Sequence, residues 1–156
     1  MALAATVAEL QRLLDTVAFT RRFGFTVASL GDGTCTLEVP FHEEFERPGG
    51  IVSGQVFMAA ADVASWLAIM TTLGAADESV TLDLKTAFLS AVRREGFRCE
   101  ARVLKLGRRV IYLVATCATA SGEIVAHHTV TYARPSAPRS GPAARRQRTR
   151  DGAVSP

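Results

Sequence analysis

The sequence predicts an α+β fold, an antiparallel sheet wrapped around one long central helix, with an additional helix at the N-terminus. Three observations carry that expectation. Residues 54–73 are apolar and alanine-rich, with no proline and no glycine after Gly54 until Gly74, which suits a helix C-cap. Four strand-like runs follow in succession, and two more precede the helix around an Asp32-Gly33 turn. The chain is 156 residues long and 48% apolar, enough for one domain with a sizeable core, placed here at residues 1–134.

The elements follow in order. Residues 3–18 set Leu3, Val7, Leu10, Leu13, Leu14 and Val17 at a 3.6-residue period, opposite Glu9, Gln11, Arg12 and Asp15. That stripe predicts an amphipathic helix within residues 1–19 that packs on something larger. From Phe25 the signal changes. Phe25–Leu30 and Thr34–Val39 flank Gly31-Asp32-Gly33 and predict a hairpin. Phe41–Arg47 is an acidic loop, and Pro48, Gly49 and Gly50 then break the chain before Ser53, at the N-cap position of the central helix. Beyond that helix, Ser79–Leu89 alternates, with Val80, Leu82, Leu84 and Phe88 on one face and Thr81, Asp83 and Lys85 on the other. Phe97–Leu106 follows a turn containing Arg93, Arg94, Glu95 and Gly96. Val110–Thr119 is apolar on both faces, as a central strand would be, and Glu123–Arg134 follows Ser121-Gly122. The four runs predict an antiparallel meander.

Charge is distributed unevenly. Residues 135–156 hold five arginines against one aspartate, a balance of +4 in a chain whose total is +3, so residues 1–134 carry −1. The basicity belongs to a segment rich in Pro, Ser, Gly, Ala and Arg, which reads as a disordered tail. It has no interleaved aromatics, so no nucleic-acid contact is expected. No apolar run of spanning length lacks both Asp62 and a glycine break, so no membrane span is expected. Cys35, Cys99 and Cys117 are unclustered and read as reduced thiols filling strand positions, Cys99 among the core. With a start that lacks a basic n-region, they predict a cytoplasmic protein. His127 and His128 are adjacent on a strand and face opposite ways, and His42 stands alone, so no metal site is expected.

Two features of the central helix point to chemistry. Asp62 is the only formal charge in residues 54–73, and a carboxylate in so apolar a run must be hydrogen-bonded, face solvent at the helix edge, or be kept for a reaction. None of its helical neighbours Met58, Ala59, Ser65 and Trp66 is a cation. At the other end, the helix start at Gly54 offers unpaired N–H groups, which suit an oxyanion. Eight residues at about 1.5 Å rise separate the two by roughly 12 Å, too far for one carbonyl to touch both. If both act on one substrate, a second chain must supply one of them, so the pair implies a dimer.

The stretch Gly50-Ile51-Val52-Ser53-Gly54-Gln55, followed by an apolar run ending at Asp62, resembles the helix-start motif of the hotdog-fold thioesterases, specifically the phenylacetate-pathway-like acyl-CoA thioesterase group. The usual pattern there is Gly-x-x-His-Gly-Gly, then an apolar stretch ending in a catalytic Asp. Ser79–Leu89, Leu106-Gly107-Arg108, Gly122–Ala126 and Thr129–Tyr132 agree in order and spacing, over about residues 20–134. The resemblance implies that Asp62 is the general base or nucleophile, that the Gly54 N–H is the oxyanion donor, and that Thr81 orients the attacking water. It also implies a homodimer or dimer of dimers, with coenzyme A as part of the substrate, no metal or redox cofactor, and Arg108 near the CoA phosphates. Three positions depart from the pattern: Ser53 stands in place of His, Gln55 in place of the second Gly, and Arg47 where Asn is frequent.

The leading expectation is therefore an acyl-CoA thioesterase, with Thr81 and either Ser53 or Gln55 positioning the reactants. The His-to-Ser departure motivates an alternative, a hotdog module that binds acyl-CoA or a related lipid without turnover. A hydratase of the same fold ranks last, because no helix-start position supplies its histidine.

Overall fold

The computed structural model describes residues 2–135, so the tail reading of residues 136–156 lies outside the described residues. Helices α1 (Val7–Thr16) and α2 (Ala18–Arg21) lead into strands β1 (Thr26–Gly31) and β2 (Thr34–Val39). A 3-10 turn (Glu43–Phe45) and two short strands, β3 (Glu46–Arg47) and β4 (Ile51–Val52), precede α3 (Gly54–Leu73). Strands β5 (Val80–Phe88), β6 (Phe97–Leu106), β7 (Val110–Ala118) and β8 (Ile124–Ala133) follow. One six-stranded antiparallel sheet, in the order β1-β2-β6-β7-β8-β5, packs its inner face on α3. The predicted architecture is the observed one.

Helix α3 is long and apolar enough to cross a membrane, yet 67% of its most apolar window is buried inside the protein. Val56, Phe57, Ala60, Ala61, Ala64, Leu67, Ala68 and Ile69 lie in the core, which explains why this helix has no polar stripe. Its C-terminus is pinned by the first hairpin. Gly33 N–H donates to Thr71 Oγ1 at 2.9 Å, Thr71 Oγ1 donates to the Ala68 carbonyl at 2.7 Å, and Gly74 takes φ +94° and donates to the Met70 carbonyl.

Three expectations need correction. The first helix begins at Val7, not residue 3: Thr6 and Glu9 form a reciprocal capping box, and Ala4 N–H donates instead to the Thr71 carbonyl. It also breaks at Val17, which is extended. Second, only β6, β7 and β8 form a meander. β5 pairs with β8 at the far edge, because the 89–96 connection runs past the start of α3, where Val52 N–H donates to the Val92 carbonyl and Ile51 bridges Arg93. Third, β7 is central, but only one face is covered: Ile111, Leu113, Ala115 and Cys117 are buried, while Val110 and Tyr112 are exposed.

The three cysteines lie on buried strand positions as free thiols, as expected. Burial pushes the Cys35 thiol up to about 12 from an ordinary 9.0. A folded-state value above the unfolded one means stability fully present below pH 9.0 and lost as pH rises toward about 12. The slope amounts to about 1.4 kcal/mol per pH unit inside that window. Urea unfolding at about pH 8.5 and about pH 10.5 should show a loss to which the raised Cys99 and Tyr132 also contribute, and Cys35→Ala should make it smaller; an unchanged slope would refute the assignment.

Candidate functional site at the central helix

Asp62 sits half-buried on α3, and its carboxylate is held by two hydroxyls. Thr81 Oγ1 donates to Asp62 Oδ1 at 2.7 Å. Tyr132 Oη lies 2.8 Å from the same oxygen and 2.8 Å from the Asp62 main-chain carbonyl. Oδ2 accepts from no protein donor among the described residues, so one carboxylate oxygen is fixed and the other is open to a reacting group. Burial, and then the neighbouring Asp62 charge, push the Tyr132 phenol well above the usual tyrosine range. It therefore stays protonated and donates at any pH where the fold survives.

Strict alternation puts Thr81 on the face opposite Leu84, and this is where the sequence misleads. A bulge between Thr81 and Asp83 shifts the register: Thr81 pairs with Tyr132, and Leu84 with Val130. The extra residue, Leu82, is left 60% exposed, and Thr81 turns onto the helix-facing side beside Asp62. Without the bulge that hydroxyl would point away from the carboxylate.

Tyr132 was not singled out from sequence as a site residue. The available signal was that a tyrosine on the inner face of a strand needs a partner for its hydroxyl, and Asp62 is the only acid of α3. Tyr132→Phe should cost about 1–3 kcal/mol of stability and lower turnover more than apparent affinity. Denaturant unfolding and a kcat-against-KM comparison check this; a pure KM effect would contradict a positioning role.

The second group gathers at the start of α3. Ser53 occupies the N-cap position but makes no capping bond with its side chain; its hydroxyl donates to Gln55 Oε1. The segment is fixed through the main chain instead, with Ser53 N–H on the Phe45 carbonyl at 2.7 Å and Val56 N–H on the Ser53 carbonyl at 3.0 Å. The Gly54 N–H, first in the helix, is left over as a donor. The Phe88 ring explains the glycine, because a Cβ at Gly54 would lie 2.9 Å from Phe88 Cζ.

Within one protomer the two groups do not meet. Thr81, beside Asp62, lies near the start of β5, and Phe88, against Gly54, closes it. Seven residues of strand put roughly 23 Å between those two ends. Arg108 is exposed in the β6–β7 turn, at the Asp62 end of the sheet, since Ile111 pairs with Tyr132 and Val110 with Ala133. Arg134 braces that turn, donating its N–H to the Arg109 carbonyl at 2.9 Å. Of the other turn arginines, Arg94 pairs with Glu46 at 3.2 Å and Arg93 donates to the Gly49 carbonyl. A depression of about 1400 Å³ lies elsewhere, on the outer sheet face around Thr36, Glu38, Arg98 and Thr116, where the Glu38–Arg98 ion pair spans it.

Comparison with known proteins bears on the fold and the family. Residues 49–126 match the family profile of the Thioesterase superfamily. A candidate esterase of Saccharolobus solfataricus is 36% identical over 98 residues, covering 63% of this chain and 69% of that protein. A conserved protein from Pseudomonas aeruginosa superposes with a TM-score of 0.74 at 31% identity, over 80% of this chain and 98% of that one. A hypothetical thioesterase from Streptococcus pneumoniae, solved with coenzyme A, shares the fold with a TM-score of 0.65 at 16% identity, over 71% of this chain and 85% of that one. An antiparallel sheet wrapped around one central helix thus coincides with the family assignment: the chain is a hotdog-fold member of the thioesterase superfamily, and its reaction class is thioester hydrolysis.

Proposed function

We propose that the protein is an acyl-CoA thioesterase that works as a homodimer, or a dimer of dimers, in the cytoplasm. The observation that carries the reading is the Asp62 carboxylate, the one charge of α3, with Oδ1 held by Thr81 and Tyr132 and Oδ2 open. Asp62 takes a proton from water, and the resulting hydroxide adds to the thioester carbonyl carbon. The partner subunit's Gly54 N–H stabilises the oxyanion. Collapse expels the CoA thiolate, which takes the proton back, so water and thioester become acid and thiol. Direct attack by Asp62 through an anhydride gives the same products.

The alternative residues at the helix start fit this role. With Ser53 donating to Gln55 Oε1, the Gln55 amide N–H groups are not used in that bond and can serve as further donors to the carbonyl. That would replace the side-chain donor lost with the family histidine. Coenzyme A on the Streptococcus pneumoniae protein supports a CoA substrate; Arg108, exposed at the Asp62 end of the sheet, is the residue we assign to its phosphates. No metal or redox cofactor takes part. Dimerisation is supported by the β5 edge, whose outer side pairs with no strand among the described residues and whose Val80, Leu82 and Phe88 are exposed. Central helices lying antiparallel across that edge would bring Asp62 of one chain toward the partner subunit's Gly54.

The test is thiol release from short-chain, long-chain and aryl acyl-CoAs by the wild-type protein, with acyl-CoA binding measured in parallel; an aryl preference would favour the phenylacetate-like subgroup. Turnover of any member supports the enzyme. Tight binding with no thiol release would overturn it in favour of a non-catalytic acyl-CoA-binding module, the reading that the Ser53 substitution also allows.

A further inference from the structure

Beneath α3 the inner face of the sheet carries a second set of reactive side chains that the proposed hydrolysis does not use. Cys99 on β6 stands directly opposite Cys117 on β7. Directly opposed residues of antiparallel strands have Cα atoms about 4.5–5.5 Å apart, inside the range a disulfide requires. His128 on β8 is fully buried, and its Nε2 lies 3.6 Å from Cys117 Sγ. Its other nitrogen, Nδ1, is 2.8 Å from Thr86 Oγ1 on β5, which fixes the ring. Among the described residues no carboxylate accompanies this imidazole; the groups that face it are a hydroxyl and a thiol. Cys35, on β2, provides a comparison: it is as buried as the other two, but it is opposite Ala101 and has no base beside it.

We propose that Cys99 and Cys117 form a peroxide-responsive dithiol within the core, with His128 as the group that activates Cys117. The hydroxyl of Thr86 can accept from Nδ1–H, which leaves Nε2 as the acceptor that faces the Cys117 S–H. The hydrogen bond from Cys99 and then His128 hold the Cys117 thiol below its ordinary range, while that same bond and burial hold Cys99 well above it. The two sulfurs thus have different parts. Cys117 thiolate attacks one oxygen of hydrogen peroxide; the O–O bond breaks, and the departing hydroxide takes a proton to become water. Cys117 is then a sulfenic acid. The Cys99 sulfur attacks the Cys117 sulfur, the S–O bond breaks, and a second water leaves with the Cys99 proton. Two thiols lose two electrons and two protons, and one peroxide becomes two waters.

Burial sets the class of oxidant. A hydroperoxide as small as hydrogen peroxide can reach a sulfur through local opening of the sheet, whereas glutathione disulfide cannot. The site also lies in register with the helix start: Cys117 pairs with Ala126, Ala126 pairs with Phe88, and the Phe88 ring rests on Gly54. A bond between β6 and β7 therefore acts on the row that supports that helix start.

The experiment treats reduced, folded full-length protein with hydrogen peroxide, then unfolds it and blocks the remaining thiols with N-ethylmaleimide. Intact mass and a peptide map read the result. One adduct, on Cys35, and a Cys99–Cys117 linked peptide are expected. Cys99→Ser should instead accumulate a dimedone-reactive sulfenic acid on Cys117, and His128→Gln should slow the reaction roughly tenfold or more. Three adducts on the treated wild type, or Cys35 oxidised in step with the other two, would overturn the dithiol without reference to any variant. A folded His128→Gln protein reacting at the wild-type rate would overturn the part given to the imidazole.

Discussion

Replacing Asp62 with asparagine is expected to lower acyl-CoA hydrolysis by about 10²–10⁴-fold, the usual contribution of a positioned general base. The substitution is nearly isosteric. An asparagine carbonyl oxygen at the Oδ1 position can still accept from Thr81 Oγ1 and Tyr132 Oη, so the local hydrogen bonds survive. What is lost is the second oxygen, which becomes an amide that can neither take a proton nor attack a carbonyl. The loss should therefore appear in kcat, with KM little altered and the thermal transition close to wild type. Thiol release under saturating substrate measures it. Equal rates for the two proteins would remove Asp62 from the reaction, and loss of rate together with loss of folding would show a structural carboxylate instead.

The second large effect comes from mixing subunits. Gly54 is the first residue of α3, where proline is tolerated and where proline deletes the one N–H assigned to the oxyanion. Gly54→Pro alone brings ring atoms against Phe88 Cζ, so the substitution is made together with Phe88→Leu, and Phe88→Leu alone serves as its control. Each mutant homodimer, Asp62→Asn or Gly54→Pro, has two defective sites. A heterodimer of the two has one site with both defects and one with none, if each site draws Asp62 from one chain and Gly54 from the other. Random reassociation gives half heterodimers, so activity should return to about one quarter of the wild-type level. No recovery on mixing, with exchange verified by mass, would mean that each chain completes its own site. The roughly 12 Å along the helix between the two residues argues against that outcome.

The central helix was legible because its signals are local: an uninterrupted apolar run, Gly74 to end it, and turn residues at 48–50. The first hairpin was legible for the same reason, through Asp32-Gly33. Strand order was not. Whether β5 pairs with β6 or with β8 depends on the path of residues 89–96 past β4, a long-range matter that strand propensity does not register. The start of α1 was missed through a signal that was present, the Thr6-x-x-Glu9 capping box, because the apolar stripe extends to Leu3. At the site, Asp62 and Gly54 stood out as oddities in an apolar run, but the support around them did not. The bulge that turns Thr81 inward and the Tyr132 hydroxyl on Asp62 are both products of register, and period-two alternation is blind to a single inserted residue. Ser53 shows the opposite case: its N-cap position was readable, but its hydroxyl is turned to Gln55.

The outer rim of β5 has a bearing on handling the protein as well as on its chemistry. A strand at a sheet boundary, with open main-chain donors and acceptors and apolar side chains at Val80, Leu82 and Phe88, is a template for any other extended chain. If the protein assembles as the proposed dimer across this edge, a protomer released by dilution or mild denaturant is the aggregation-prone species, and colloidal loss should track dissociation, not unfolding of the core.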